Sequence, residues 1–455
     1  MLHTPESQVP NPFHDIDLKD GTFNKTSAKD LDAAFKRFGE GGGAHLCVFF
    51  HGGLVDYDSG LKCAHDLVED YTSGSTYPFF FIWRSGLFQV LSDLIRHHEK
   101  DPVFVEAANE SVYSAGVKIA AALSDKRLER RVRLKLKPLR RGVLTLRELA
   151  AYAEPYDRAW EKRTDVQLDC TRLELDQFTD RLVNLTRGRR RGGVKFEREN
   201  FGGDDNPFSR IIRRLNTHHD HGLYTTTIEE LLISLCVGKA ASSIWDEMKT
   251  YIDDAFAAKH DAGGTAFLDK LAEAWRKNPN LRVTLIGHSA GSIYVQRLIE
   301  ELDRRFPDSP DWKLEVLYMA PAISFARMYA GLESFRRRVR AFRVFALTKT
   351  AERKYWEVRF IYKGSLLCIV SGLCEADPDS DKPILGMQRY WSCEPPYLGV
   401  DILTITDYIG SARAVWSPTT KNANPGYQCS ATVHGGFPLD SKMRGSARYI
   451  LVNGF

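Results

Sequence analysis

The residues best suited to covalent chemistry lie in Gly287-His288-Ser289-Ala290-Gly291. The apolar run Leu281 to Ile286 leads into this segment, and a helix-forming run, Ile293 to Leu302, leaves it, so the order is strand, sharp turn, helix. A serine at such a turn has little space around its backbone, and glycine two positions to either side supplies that space. Ser289 is therefore a candidate nucleophile. A serine hydroxyl is weak until a base takes its proton, another group orients that base, and donors receive the charge that develops on the attacked carbonyl oxygen.

Each helper can be sought by residue type. His434 stands in Ser430-Ala431-Thr432-Val433-His434-Gly435-Gly436-Phe437, and no other histidine follows His288, which makes it the candidate base. His51-Gly52-Gly53-Leu54 closes the apolar run Leu46 to Phe50, and glycines there let backbone amides face a ligand. The amide of Gly53, with Leu54 as the adjacent alternative, and that of Ala290 are the candidate oxyanion donors. His51 reads as a structural side chain packed beneath the loop. The orienting acid should lie just past the carboxy end of a strand that follows the elbow, where a carboxylate can reach the imidazole. Glu352, after VRAFRVFALT, is favoured. Asp407, after the apolar run Ile402 to Thr406 read as a strand, is the alternative; Asp377, Asp379 and Asp381 in EADPDSDKP read as a solvated turn.

The elements that must position these groups follow from hydrophobic periodicity. Continuous apolar runs predict buried strands over 46–50, 77–83, 281–286 and 313–320, the alternating VRAFRVFALT predicts a further strand over 339–348, and an alternating edge strand is expected over 13–18. Ser27-x-x-Asp30 predicts a capped helix over 27–38. Helix is expected over 227–257, with a possible break at Gly238, and over 265–277. Between about Ser85 and Asn280 no convincing strand pattern occurs, which reads as a long insertion between sheet strands. The expected organisation is core over 1–85, a helical, basic cap or lid over 86–280, and core again over 281–455. The fold class is α/β, a mostly parallel sheet covered on both faces.

Composition narrows the function classes. With 455 residues, 43% of them hydrophobic, the chain can bury a large core, and a net charge of +4 makes no global case for nucleic acid. Eight cysteines, at 47, 63, 170, 236, 368, 374, 393 and 429, show no C-x-x-C pairing and read as reduced thiols. The N-terminus lacks a signal-peptide pattern, and no apolar run reaches the roughly 20 residues needed to span a bilayer, so a cytoplasmic location is expected. Two basic stretches, Lys126 to Arg147 and Arg187 to Arg198, could meet an anionic membrane surface, although acidic residues follow the first closely. His218, His219 and His221 with Asp220 lack the partner spacing of a metal site and read as a polar loop. Neither a metal nor an organic cofactor is expected.

Taken together, His51-Gly52-Gly53, the Ser289 pentapeptide and His434-Gly435-Gly436-Phe437 resemble, in kind and order, the α/β-hydrolase superfamily, in its lipase/esterase-like serine hydrolase group. The resemblance covers about residues 45–85 and 281–455. It implies an α/β-hydrolase-type fold and hydrolysis of an acyl bond through an acyl-enzyme. The implied substrate is a lipid or other carboxylic ester, with thioester and amide as alternatives. A non-catalytic protein that keeps the fold and binds an anionic partner through its cap is a different class with the same sequence features.

Overall fold

Strands that are apolar on both faces must be covered on both faces, and the first of the chain's two units is built that way. That unit comprises Met1–Gln89, Asp246–Glu352 and Pro383–Phe455; the second comprises Val90–Trp245 and Arg353–Lys382. The structure, a computed structural model, describes residues 9–53, 57–72, 75–83, 87–130, 143–163, 165–186, 206–259, 261–375 and 380–455.

The strands in chain order are β1 (Asp15–Lys19), β2 (Thr22–Phe23), β3 (His45–Phe50), β4 (Thr76–Trp83), β5 (Arg282–His288), β6 (Leu314–Met319), β7 (Val339–Leu347), β8 (Trp356–Val358), β9 (Tyr362–Lys363) and β10 (Ala414–Ser417). Eight form one sheet in the order β10-β7-β6-β5-β3-β4-β1-β2, while β8 and β9 form an antiparallel ribbon in the second unit. Every pairing in the large sheet is parallel except that of β2 with β1. The architecture is consistent with an α/β-hydrolase-type fold with helical insertions.

Period-two alternation assigns the strand side chains to two cores. Cys47, Phe49, Phe80, Ile82, Ile286, Leu317 and Phe345 pack with Leu61, Leu67 and Tyr71 of the helix Tyr57–Tyr71 and with Met443, Ala447 and Ile450 of Ser441–Asn453. On the opposite face, Phe79 stacks on Phe35 of the helix Ala28–Glu40, Phe81 meets Phe267 of Gly263–Lys277, and Phe50 stacks on Tyr294 of Gly291–Arg305. The helix Ala28–Glu40 starts with the expected capping box between Ser27 and Asp30. Because β3 and β5 are neighbours, with Phe50 opposite Gly287, the loop at Gly52 and the turn at Ser289 leave the sheet side by side.

The described part of the second unit is helical apart from its ribbon. It includes Pro102–Ala122, Leu146–Trp160, Arg172–Thr186, Pro207–Asn216 and Leu223–Ser234. Inside it Arg214, almost wholly buried, donates to Glu229 Oε2 at 2.7 Å and Glu230 Oε1 at 2.9 Å, and His221 Nδ1 bonds Glu229 Oε1 at 2.7 Å. Buried charges require such partners. Among the described residues no helix is long and apolar enough to cross a membrane, and no group of residues could hold a metal ion.

Several expectations need correction. The run Ile402 to Thr406 is not a strand: it belongs to the helix Val400–Ile409, which buries Ile402, Ile405 and Ile409 at helical spacing. The last strand of the sheet is instead β10. Asp381 is no solvated turn residue, because it is buried and accepts from His219 Nδ1 at 3.1 Å. The strand near residue 13 is β1, which lies inside β2 rather than at the edge. The helix expected over 227–257 is two helices, Leu223–Ser234 and Val237–Asp254, broken at Cys236, where φ is +62°. Leu54, Asp377, Asp379, the basic stretch at 187–198 and part of that at 126–147 lie outside the described residues.

Candidate active site

Ser289 has a φ of +53°, a left-handed conformation that costs a non-glycine residue about 1–3 kcal/mol and must be held from outside. Four hydrogen bonds hold it. Its amide donates to Met319 O at 3.0 Å, and its carbonyl accepts from Ser292 N at 3.0 Å, Ala322 N at 3.0 Å and Ser292 Oγ at 2.7 Å. The Ser289 Oγ itself is buried and has no hydrogen-bond partner among the described residues. The tertiary structure thus enforces a strained backbone around a hydroxyl that no described residue engages.

The flanking glycines answer to close backbone approaches. A Cβ at Gly291 would stand 2.2 Å from the Phe50 carbonyl oxygen, and one at Gly287 would stand 2.9 Å from the Gly291 carbonyl oxygen. Neither obstacle is a side chain that can rotate away. Gly291→Ala is therefore expected to destabilise the sheet unit by at least about 2 kcal/mol, given the usual penalties of overpacking. Urea unfolding checks this, and a midpoint equal to that of wild type would refute it.

Beside the turn runs the loop His51-Gly52-Gly53. A Cβ at Gly52 would meet Ser289 Cβ at 3.1 Å, and one at Gly53 would meet Ala290 Cβ at 2.8 Å, so only glycine allows the two segments to lie this close. His51 Nε2 accepts from the Trp83 amide at 3.1 Å, which places the ring proton on Nδ1, and Nδ1 donates to the Gly52 carbonyl at 2.8 Å. Since the Gly52–Gly53 peptide is planar and trans, fixing that carbonyl turns the Gly53 amide to face away from His51. The amides of Gly53 and Ala290 donate to no acceptor among the described residues. Burial, opposed by the Gly52 bond, lowers the His51 pKa to about 4, so the ring is neutral, as a structural group beneath the loop should be.

His434 opens the short helix His434–Leu439 and is buried. Burial, and then the neighbouring His288, push its pKa well below the usual histidine value, so it is an unprotonated base at neutral pH. Neither of its ring nitrogens has a hydrogen-bond partner among the described residues. What reaches it is His288, the residue before the serine. His288 Nε2 lies 3.2 Å from the His434 carbonyl oxygen, and the two rings are 5.3 Å apart between centroids. His434 is thereby brought to the elbow from 145 residues away in sequence. Burial also lowers the His288 pKa to about 4.

The acid candidates are placed differently. Glu352 is buried in the helix Lys349–Lys354 that directly follows β7, two strands from β5. Asp407 is exposed on the helix Val400–Ile409. Asp381 belongs to the second unit and is committed to His219. Among the described residues no carboxylate hydrogen-bonds His434. Catalytic hydrogen bonds are often long before substrate arrives.

No protein-family model, no curated protein and no solved structure matches this chain. The reading of the site therefore rests on its own geometry. Sequence reasoning passed over His288, whose only local signal is a polar ring between a buried strand and the serine.

Proposed function

We propose that the protein is a serine hydrolase of the α/β-hydrolase superfamily, lipase/esterase-like, that cleaves a carboxylic ester through an acyl-enzyme. The observation that carries this reading is the conformation of Ser289: a buried serine, held at positive φ between a strand and a helix, with a hydroxyl that bonds no described residue. Backbone strain that is enforced by the surrounding fold concentrates at functional sites.

In this mechanism Ser289 Oγ attacks the ester carbonyl carbon while His434 takes its proton. The amides of Gly53 and Ala290 receive the oxyanion, and the start of the helix Gly291–Arg305 favours the same charge. Collapse expels the alcohol, which leaves with the proton from His434. Water then attacks the acyl-enzyme, gives a proton to His434, and the carboxylic acid departs as Ser289 is restored. Thioesters and amides fit the same steps with a different leaving group. A lipid ester is the favoured class, with the basic stretches as a contact for an anionic membrane surface. The mechanism requires no cofactor.

One observation favours a second reading, a binding protein that keeps this fold: among the described residues no carboxylate hydrogen-bonds the His434 ring. A fluorophosphonate probe decides between them, because it forms a bond only with an activated serine. Labelling of wild type but not of Ser289→Ala supports the hydrolase, and absence of labelling in both refutes it.

Glu352 is the proposed acid, since it is buried past the end of β7 whereas Asp407 is solvent-exposed on a helix. Glu352→Gln is expected to lower kcat by about 10²- to 10⁴-fold, the upper figure being the loss seen when a triad acid becomes an amide. Asp407→Asn should stay within about twofold, as surface changes away from a site generally do. Steady-state kinetics on a p-nitrophenyl ester checks both, and a nearly unchanged Glu352→Gln would refute the assignment.

A further inference from the structure

A general base must be held in place, and that is ordinarily done by a group bonded to its second ring nitrogen. Here both ring nitrogens of His434 are without partners among the described residues, so its anchor has to be sought on the main chain. The His434 carbonyl accepts from His288 Nε2 at 3.2 Å. His288 is the last residue of β5, paired in register with Met319 of β6, and is therefore fixed by the centre of the sheet. The same ring also touches the oxyanion loop, because a Cβ at Gly52 would come within 3.2 Å of His288 Nδ1. One side chain thus meets the base and the glycine loop, and it is covalently adjacent to the nucleophile.

We infer that His288 is the positioning residue of this site, setting the distance between Ser289 Oγ and the His434 imidazole through its bond to the His434 main chain. The inference rests on the hydrolase reading and adds to it. His288 takes no proton from substrate and touches none of the reacting atoms. It acts by holding the loop that carries His434 against the elbow, and its neutrality suits that role. A neutral imidazole places no positive charge beside the ring that must itself become an imidazolium during turnover. A base misplaced by about 1 Å can lose about 10²-fold in rate, which sets the size of the effect.

The test compares His288→Leu, which fills much of the space without a donor, with His288→Gln, whose amide nitrogen can stand where Nε2 stands. Four quantities are measured for each: kcat and KM on a p-nitrophenyl ester, the rate of fluorophosphonate labelling, and folding by circular dichroism. His288→Leu should lower kcat and the labelling rate together by about 10- to 100-fold with KM changed less than about threefold, and His288→Gln should recover at least about a third of the lost factor. A Leu variant within twofold of wild type, or a Gln variant no better than Leu, overturns the inference. If His288→Leu does not fold, His288→Asn replaces it, its shorter amide being unable to reach the carbonyl, and the same outcomes apply. A wild type that shows no Ser289-dependent labelling overturns the hydrolase reading and this inference with it. A labelled wild type with an unaffected Leu variant overturns this inference alone.

Discussion

Ser289→Ala is expected to lower turnover by at least about 10⁴-fold and, at the same time, to raise the stability of the protein. The first effect follows from chemistry, because without the hydroxyl no acyl-enzyme forms, and what is left is the contribution of the oxyanion amides and of binding. His434→Ala should lose as much, and the double variant little more than either single one, since nucleophile and base act as a unit. The second effect follows from burial. The Ser289 hydroxyl has no hydrogen-bond partner among the described residues, and a buried, unsatisfied polar group costs about 1–3 kcal/mol. Removing it should increase the urea midpoint, the direction expected where stability has been traded for activity. Burst kinetics and urea unfolding of the same preparations check both halves. More than about a hundredth of wild-type turnover in Ser289→Ala would end the case for this nucleophile.

Much of the sheet was legible because strands buried on both faces read as continuous apolar runs, as LCVFF and YPFFFIW do. The elbow was legible because its glycines answer to local sterics. What could not be read depends on distant partners. DILTITDY has strand-like composition, yet Ile402, Ile405 and Ile409 face the core at helical spacing while Leu403 is exposed, and packing on the helix Phe325–Ala330 decides the outcome. The true last strand, AVWS, is four residues long and only half buried, too little pattern to stand out. Asp381 sits in a Pro- and Ser-containing segment whose local chemistry says turn, and only the histidines of a loop some 160 residues earlier reveal it as buried. The contact of His288 with the loop of His434 shows only in three dimensions. Motifs thus exposed the residues proposed to react, and three-dimensional contacts were needed to expose the one proposed to position them.

Acidification from pH 7.5 to pH 5 is expected to unfold the sheet unit at markedly lower urea, through histidines that it buries uncharged. His45, His51 and His288 have pKa values lowered from 6.5 to about 4, burial being the largest cause in each, and His434 lies well below 6.5 for the same reason. Above pH 6.5 these groups are neutral in both the folded and the unfolded chain and contribute nothing to the pH dependence. Between about 6.5 and about 4 the unfolded chain binds protons that the folded one refuses, so stability falls as pH falls. Each fully excluded proton is worth about 1.4 kcal/mol per pH unit, or about 2 kcal/mol at pH 5, against a typical total of about 5–15 kcal/mol. Even half that effect from each of the four would be large. Asp157 and Glu357 of the second unit, whose pKa values burial raises to about 7, act in the opposite sense, because the folded state holds their protons and gains as pH falls toward 4. His45 offers a clean control at the far end of β3 from the serine. The Thr284 hydroxyl donates to Glu315 at 2.9 Å, so it accepts from His45 Nε2 at 2.9 Å, and His45 Nδ1 is left to accept from Thr76 Oγ1 at 3.0 Å. The ring is thus satisfied as a neutral group and has no place for a second proton. His45→Gln keeps an amide at that site but cannot titrate, so it should reduce the slope of stability against pH by about one proton, or about 1.4 kcal/mol per unit. Urea titrations of wild type and His45→Gln at half-unit steps from pH 7.5 to 5 measure both quantities. A wild-type midpoint that does not move across that range would mean the buried imidazoles accept protons in the folded state, and the neutral-histidine description of the site would fall with it.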